Sequence, residues 1–327
     1  MTEIGSIIDK QVTVLSIDKK NSQLVPSSEA MVRFCQYMFA YSNGYYEDSY
    51  QYMNKVYEIK PEYLWLYAYE MGMAELQSGD IEKAEILAEA LYNNNVELPD
   101  AYKSINESLL QAAIYNDRKL NLHYIHSEKL NDGNVAEMLK GMDGILIAPG
   151  FGQRGIEGKF VAIKYARENN VPTFGICLGM QCMVIEFARN VLGYEDANSV
   201  EMDVKTRHNV IDIMDSQKSI SNMGGTMRLG AYDCTLVEGS TPAKAYGSTH
   251  ISERHRHRFE FNSEYREEFE KAGMKCVGTN PDTNLVEVVE IPELRWFVGT
   301  QYHPEYNSTV LRPNPLFVDF IRAAISK

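Results

Sequence analysis

The segment Gly175-Ile176-Cys177-Leu178-Gly179-Met180-Gln181 holds a cysteine between two glycines, directly after the run Val171-Pro172-Thr173-Phe174. An apolar run that ends in G-x-C-x-G and continues into a helical pattern has the form of a nucleophile elbow, a tight strand-to-helix turn that lifts one side chain clear of a sheet. Glycines beside the cysteine permit such a strained turn, and the N-terminus of the next helix favours a thiolate through its unpaired N–H groups. The plain alternative is a buried, inert thiol, the expectation for Cys182 on that helix.

Two further segments carry chemistry of the same kind. In Thr300-Gln301-Tyr302-His303-Pro304-Glu305, period 2 along an extended chain puts His303 and Glu305 on one side, so the carboxylate can orient an imidazole that activates a distant thiol. In Ala148-Pro149-Gly150-Phe151-Gly152, unhindered backbone N–H groups can line an oxyanion hole, against the alternative of an ordinary glycine turn. His250, His255 and His257 are close enough in sequence to suggest a zinc site, but a solvated basic loop accounts for them as well, and no metal is expected.

These segments need elements to position them. After about residue 96, short β-rich runs (120–125, 144–148, 171–176) alternate with helical stretches (101–113, 158–168, 180–191), followed by strands at 285–291 and 296–301 and a helix at 315–325. Such alternation predicts an α/β domain over residues 96–327 with a mostly parallel sheet and helices on both faces. Ligands of open α/β sheets lie at the carboxyl ends of strands, which is where Gly150, Cys177 and His303 fall.

Residues 1–95 follow a different pattern. From 28 to 92 the apolar residues recur at helical spacing, and Gly44 and Gly79 open equivalent segments 35 residues apart. That is close to the roughly 34-residue period of tetratricopeptide helix pairs, which this region resembles, with Pro61 at the closing position. Such helices imply a protein partner. Residues 11–17 alternate as a strand, with no obvious place in the fold.

Composition narrows the partners. The chain has 327 residues, 44% apolar and 24% charged, with a net charge of −13, which opposes nucleic acid and anionic lipid. A mean hydropathy of −0.33 and the lack of any apolar run near 18 residues argue against a membrane span. Five cysteines (Cys35, Cys177, Cys182, Cys234, Cys276) form an odd, scattered set, unlike a disulfide framework or zinc ribbon. With no secretory signal at the N-terminus, the expected location is cytoplasmic.

Residues 96–327 resemble the class I, triad-type glutamine amidotransferases, and among them the glutaminase domain of CTP synthases. The resemblance rests on Leu98-Pro99-Asp100-Ala101-Tyr102-Lys103-Ser104-Ile105, Gly150-Phe151-Gly152-Gln153-Arg154-Gly155-Ile156-Glu157-Gly158, the cysteine turn, Met223-Gly224-Gly225-Thr226-Met227-Arg228-Leu229-Gly230, and Glu253-Arg254-His255-Arg256-His257-Arg258. It implies a flavodoxin-like glutaminase fold and hydrolysis of L-glutamine through a thioester. By the resemblance, Cys177 is the nucleophile, His303 the base and Glu305 its orienting carboxylate. Gly150 supplies oxyanion-side backbone, and the turn Leu178, Gly179, Met180 and Gln181 contacts substrate. Glu201 reads the amino group and Arg258 the carboxylate, as a zwitterionic ligand requires. The glutaminase half-reaction needs no cofactor; ATP and Mg enter only with a synthetase partner that aminates UTP. The loop 153–158 resembles a GTP-responsive lid.

The chain also departs from that family. It shows no G-x-x-x-x-G-K-[ST] phosphate loop, and some 95 upstream residues cannot hold the synthetase domain, so a synthetase domain or subunit would act in trans. The family's first strand, which runs into Leu98-Pro99-Asp100, is replaced by the helix-like 84–95. This predicts an unpaired sheet edge beside the active-site strands, unless 11–17 fills it across a long connection. The family's Pro-Gly-Gly stands here as Ala148-Pro149-Gly150. Two other readings stay open: a non-catalytic scaffold combining helical repeats with an amidotransferase fold, and a standalone γ-glutamyl amidohydrolase.

Overall fold

The computed structural model describes residues 11–18, 102–150, 155–213 and 227–326, with Gln36, Gln51, Tyr52 and Lys55 as isolated helical positions. The chain divides into two compact units, Met1–Ser22 with Asp100–Lys327, and Gln23–Pro99. The helical-repeat expectation for 28–92 therefore lies outside the described residues, apart from those four positions.

The first unit contains twelve described strands: β1 (Gln11–Asp18), β2 (Lys119–His126), β3 (Gly144–Ile147), β4 (Thr173–Ile176), β5 (Asn198–Ser199), β6 (Asn209–Ile213), β7 (Arg228–Leu236), β8 (His250–His257), β9 (Phe259–Phe261), β10 (Lys275–Thr279), β11 (Val286–Glu290) and β12 (Phe297–Thr300). Nine form one sheet in the order β2-β1-β3-β4-β12-β11-β10-β7-β8, and β5-β6-β9 form a second. Its helices are α1 (Lys103–Tyr115), α2 (Val135–Met138), α3 (Ile156–Glu168), α4 (Leu178–Asn190), α5 (Thr241–Tyr246), α6 (Arg266–Ala272) and α7 (Pro315–Ile325).

β3 and β4 are buried along their whole length, with Thr173 their one polar side chain, as central strands covered on both faces must be. β3 pairs with β4, and β4 with β12, in parallel. Every other neighbour in the nine-stranded sheet is antiparallel. The expected mostly parallel sheet is thus a mixed one, parallel only through β3-β4-β12. The cause lies in the connections. A helix, α3, stands between β3 and β4 and allows a parallel crossover, whereas the short link from β11 to β12 permits only an antiparallel pair.

β1 overturns the expected open edge. It lies between β2 and β3, with Val12 opposite Ile147 and Val14 opposite Ile145 on one side, and Val12 opposite Ile125 on the other. Its two described side chains lie three residues apart, so they point to opposite faces. Val12 packs with Ile145, Ile163 and Met183, among residues of α3 and α4. Leu15 packs with Leu109, Phe174, Phe317 and Phe320, among residues of α1 and α7. Both are fully buried. Among the described residues no helix is long and apolar enough to cross a membrane.

Candidate active site

Cys177 stands between β4 and α4, as the N-cap of α4, with φ +53° and ψ −107°, a backbone conformation that a residue with a Cβ rarely adopts. Such strain costs on the order of 1–3 kcal/mol and persists only where the surroundings enforce it. Here Cys177 N donates to Thr300 O at 2.7 Å, and Gln181 N donates to Cys177 O at 3.1 Å. The two glycines contribute space rather than the unusual dihedral. A Cβ on Gly179 would lie 2.0 Å from Ile147 O, and one on Gly175 would lie 2.3 Å from Met183 Sδ. The elbow is therefore wedged against the end of β3. The first N–H groups of α4, at Leu178 to Met180, have no intrahelical acceptors and remain available to an anion beside the sulfur.

Because Thr300 of β12 pairs with Ile176 of β4, the chain leaving β12 runs beside the cysteine turn. His303 N is anchored to Arg254 O of β8 at 2.8 Å, and His303 Nδ1 lies 2.7 Å from Glu305 Oε1. The sequence reading expected an extended segment here. Instead Pro304–Asn307 is a 3-10 turn, with His303 as its N-cap, that folds the carboxylate back onto the ring. Both side chains are buried. Burial alone would depress the imidazole, but the Cys177 thiol and the Glu305 carboxylate outweigh it and hold His303 well above its ordinary value. His303 Nε2 has no hydrogen-bonding partner among the described residues. Cys177 thus raises the ring without a well-aligned S–N hydrogen bond, a looseness common in sites without substrate.

Cys177 opens onto a pocket enclosing about 420 Å³, part of it open to solvent, whose walls include Gly150, Leu178, Gln181, Glu201 and Arg258. These sequence-predicted residues come from four separate segments, Leu178 and Gln181 sharing α4, and converge on one space. Gly179 and Met180 do not line it. Gly179 is wedged against Ile147, and Met180 packs on Gly299, where a Cβ would come within 3.0 Å of Met180 Cγ.

Four further residues of this site have no role in it on the sequence alone. Met227, His257 and Phe259 also line the pocket. Gln301 Nε2 donates to Cys177 Sγ at 3.7 Å, and Gln301 accepts from Gln181 Nε2 at 3.2 Å. The alternation that drew attention to His303 reaches Gln301 one step earlier, so a signal for it existed.

The wall carrying His257 and Arg258 is braced by a buried charge network. Arg228, on β7, bridges Glu260 of β9 at 3.3 Å and Glu287 of β11 at 2.8 Å, tying the two sheets together. His255 and His257 are strand residues of β8 that point inward, 2.7 Å apart at Nδ1 and Nε2. The solvated-loop reading of this segment is thereby corrected; only the alternate residues of β8 face solvent. Burial pushes Glu260 up to about 8, partly offset by Arg228. Burial also lowers both imidazoles.

The domain just described matches a known family. Residues 97–323 match the class I glutamine amidotransferases, and the chain belongs to that family. Over 241 residues it is 68% identical to a CTP synthase of Porphyromonas gingivalis, covering 74% of this chain and 45% of that protein. Over 243 residues it is 67% identical to one of Bacteroides fragilis, covering 74% and 46%. The chain thus spans just under half the length of these relatives. Among solved structures, the glutaminase domain of a Trypanosoma brucei CTPS with bound acivicin superposes with a TM-score of 0.67 at 41% identity, covering 71% of this chain and 91% of that one.

Proposed function

We propose that the chain hydrolyses L-glutamine to glutamate and ammonia. The observation that carries this reading is the pocket in which a strained cysteine faces a wall holding both Glu201 and Arg258. A carboxylate and a guanidinium together match the ammonium and carboxylate of a free amino acid, and no simpler ligand needs both.

In this reading the Cys177 sulfur attacks the glutamine carboxamide carbon. Backbone N–H groups at Gly150 and Leu178 face the oxygen on which negative charge develops. The protonated imidazole of His303 gives its proton to the departing ammonia, leaving a glutamyl thioester. The neutral imidazole then takes a proton from water, whose hydroxide displaces the sulfur and yields glutamate. Glu305 holds the imidazole and stabilises its charged form. Neither metal nor cofactor takes part in these steps.

By analogy with the relatives, the ammonia would pass to a synthetase domain or subunit that aminates UTP with ATP and Mg, in the cytoplasm. The spacing of Gly44 and Gly79 supports a helical, protein-binding role for the region before residue 96.

The reading is tested by incubating the chain with L-glutamine, L-asparagine and γ-glutamyl amides and measuring the released acids and amines. Turnover of glutamine well above the others is expected. Preference for a γ-glutamyl amide would favour the amidohydrolase, and no turnover of any of them would favour the scaffold.

A further inference from the structure

Three amides are linked in series behind the cysteine. Gln181 Nε2 donates to Phe259 O at 2.9 Å and to Gln301 Oε1 at 3.2 Å, and Gln301 Nε2 donates to Cys177 Sγ at 3.7 Å. The order is dictated by the first link. A backbone carbonyl can only accept, so the Gln181 atom facing Phe259 must be its nitrogen. That nitrogen's second hydrogen requires an oxygen from Gln301, which turns the Gln301 nitrogen toward the sulfur.

Two consequences follow. Both N–H groups of Gln181 are consumed inside the protein, so this pocket-lining side chain has only its Oε1 acceptor to offer a ligand. An acceptor sharing a pocket with Glu201 suits an ammonium. Meanwhile the thiol receives an N–H donor, which favours a negatively charged sulfur. Gln301 is fully buried and fixed by its own backbone bond to Glu287 O at 2.8 Å, so the amide has little freedom to turn over.

We propose that Gln301 is a positioning residue with two duties: its Oε1 locks the Gln181 amide with the acceptor toward the pocket, and its N–H steadies the Cys177 sulfur as a thiolate. The first duty rests on the glutaminase reading; the second does not.

Two substitutions separate the duties. Gln301→Glu keeps an acceptor for Gln181 but removes the donor to sulfur, whereas Gln301→Met removes both. Alkylation of Cys177 by iodoacetamide, followed by peptide mass spectrometry, reports the sulfur. The concentration of L-glutamine that halves this alkylation reports the pocket. Loss of one hydrogen bond to a charged group changes a rate or affinity by about 10-fold or more. Alkylation should therefore slow about 10-fold in both variants, and half-protection should shift about 10-fold in Gln301→Met while staying within about 3-fold in Gln301→Glu. In the double variant Gln301→Met with Gln181→Met, half-protection should be no weaker than in Gln181→Met alone, because Gln301 acts through Gln181. Unchanged alkylation in the variants, or equal shifts of half-protection in both, would overturn the proposal. A chain that is never protected by glutamine would overturn the glutaminase reading instead, and the alkylation rates would still decide the role of Gln301 at the sulfur.

Discussion

His303 Nδ1 and Glu305 Oε1 meet at 2.7 Å across one turn of 3-10 helix, both buried, with the opposite ring nitrogen left without a hydrogen bond among the described residues. If the imidazole transfers protons, His303→Ala should lower kcat by roughly 10²–10⁴-fold. Glu305→Gln should cost less, since the carboxylate orients the ring and moves no proton. The sign of its pH effect is defined. The Glu305 carboxylate helps hold the imidazole above its ordinary value, so the charged form survives to higher pH than in its absence. Replacing the carboxylate should move the basic limb of the kcat/KM profile to lower pH. A limb that stays in place would show that Glu305 does not influence the ring.

Reactivity should be confined to one described thiol. Burial pushes Cys182 and Cys276 up to about 12 and raises Cys234 as well, which keeps these three protonated and inert near neutrality. A glutamine-like electrophile should form an adduct at Cys177 that excess glutamine suppresses. Peptide mass spectrometry showing adducts at Cys182 or Cys234 would contradict this assignment.

Arg258 and Glu201 line the pocket and in the proposed reaction hold the carboxylate and ammonium, which do not react, so their grip on the amino acid should persist from ground state to transition state. Arg258→Ala should raise KM for glutamine by about 10- to 100-fold, the worth of a charge-assisted hydrogen bond, with kcat changed far less. Steady-state kinetics check this directly.

The elbow depends on Gly179 for space. A Cβ there would come within 2.0 Å of Ile147 O, a backbone atom that moves only if β3 moves. Gly179→Ala should cost about 1–3 kcal/mol of stability and displace Cys177 enough to lower activity. Thermal unfolding together with turnover measures both. A variant with wild-type stability would show that the turn has slack.

β1 should be a structural part of the domain. Leu15→Ala removes a fully buried side chain and should destabilise by about 2–5 kcal/mol in denaturant unfolding. A loss below about 0.5 kcal/mol would show that the strand contributes little there.

The parts of the fold and site that were legible in the sequence are those whose signals are local. The cysteine turn, the glycines and the closing helix at 315–325 follow from composition within a few residues, and α7 occupies that span. The pairing of His303 with Glu305 was legible too, although through a turn rather than the extended chain that alternation suggested. Strand direction was not legible, because a buried run such as Val286–Glu290 reads the same in either sense and the connections decide. The place of β1 was hidden for a related reason: its partners, β2 and β3, lie about a hundred residues or more away, and no local pattern encodes such a contact. The inward half of β8 was masked by its basic neighbours, since His255 and His257 alternate with exposed arginines.

The central claim, that Cys177 performs hydrolysis of glutamine in this chain, is tested most directly by ammonia release. The unsubstituted chain and Cys177→Ala, matched for thermal unfolding, should be incubated with L-glutamine while ammonia and glutamate are both quantified. Equal amounts of the two products from the unsubstituted chain, and none above background from Cys177→Ala, are predicted. No release from a folded chain, or equal release from both proteins, would contradict the account.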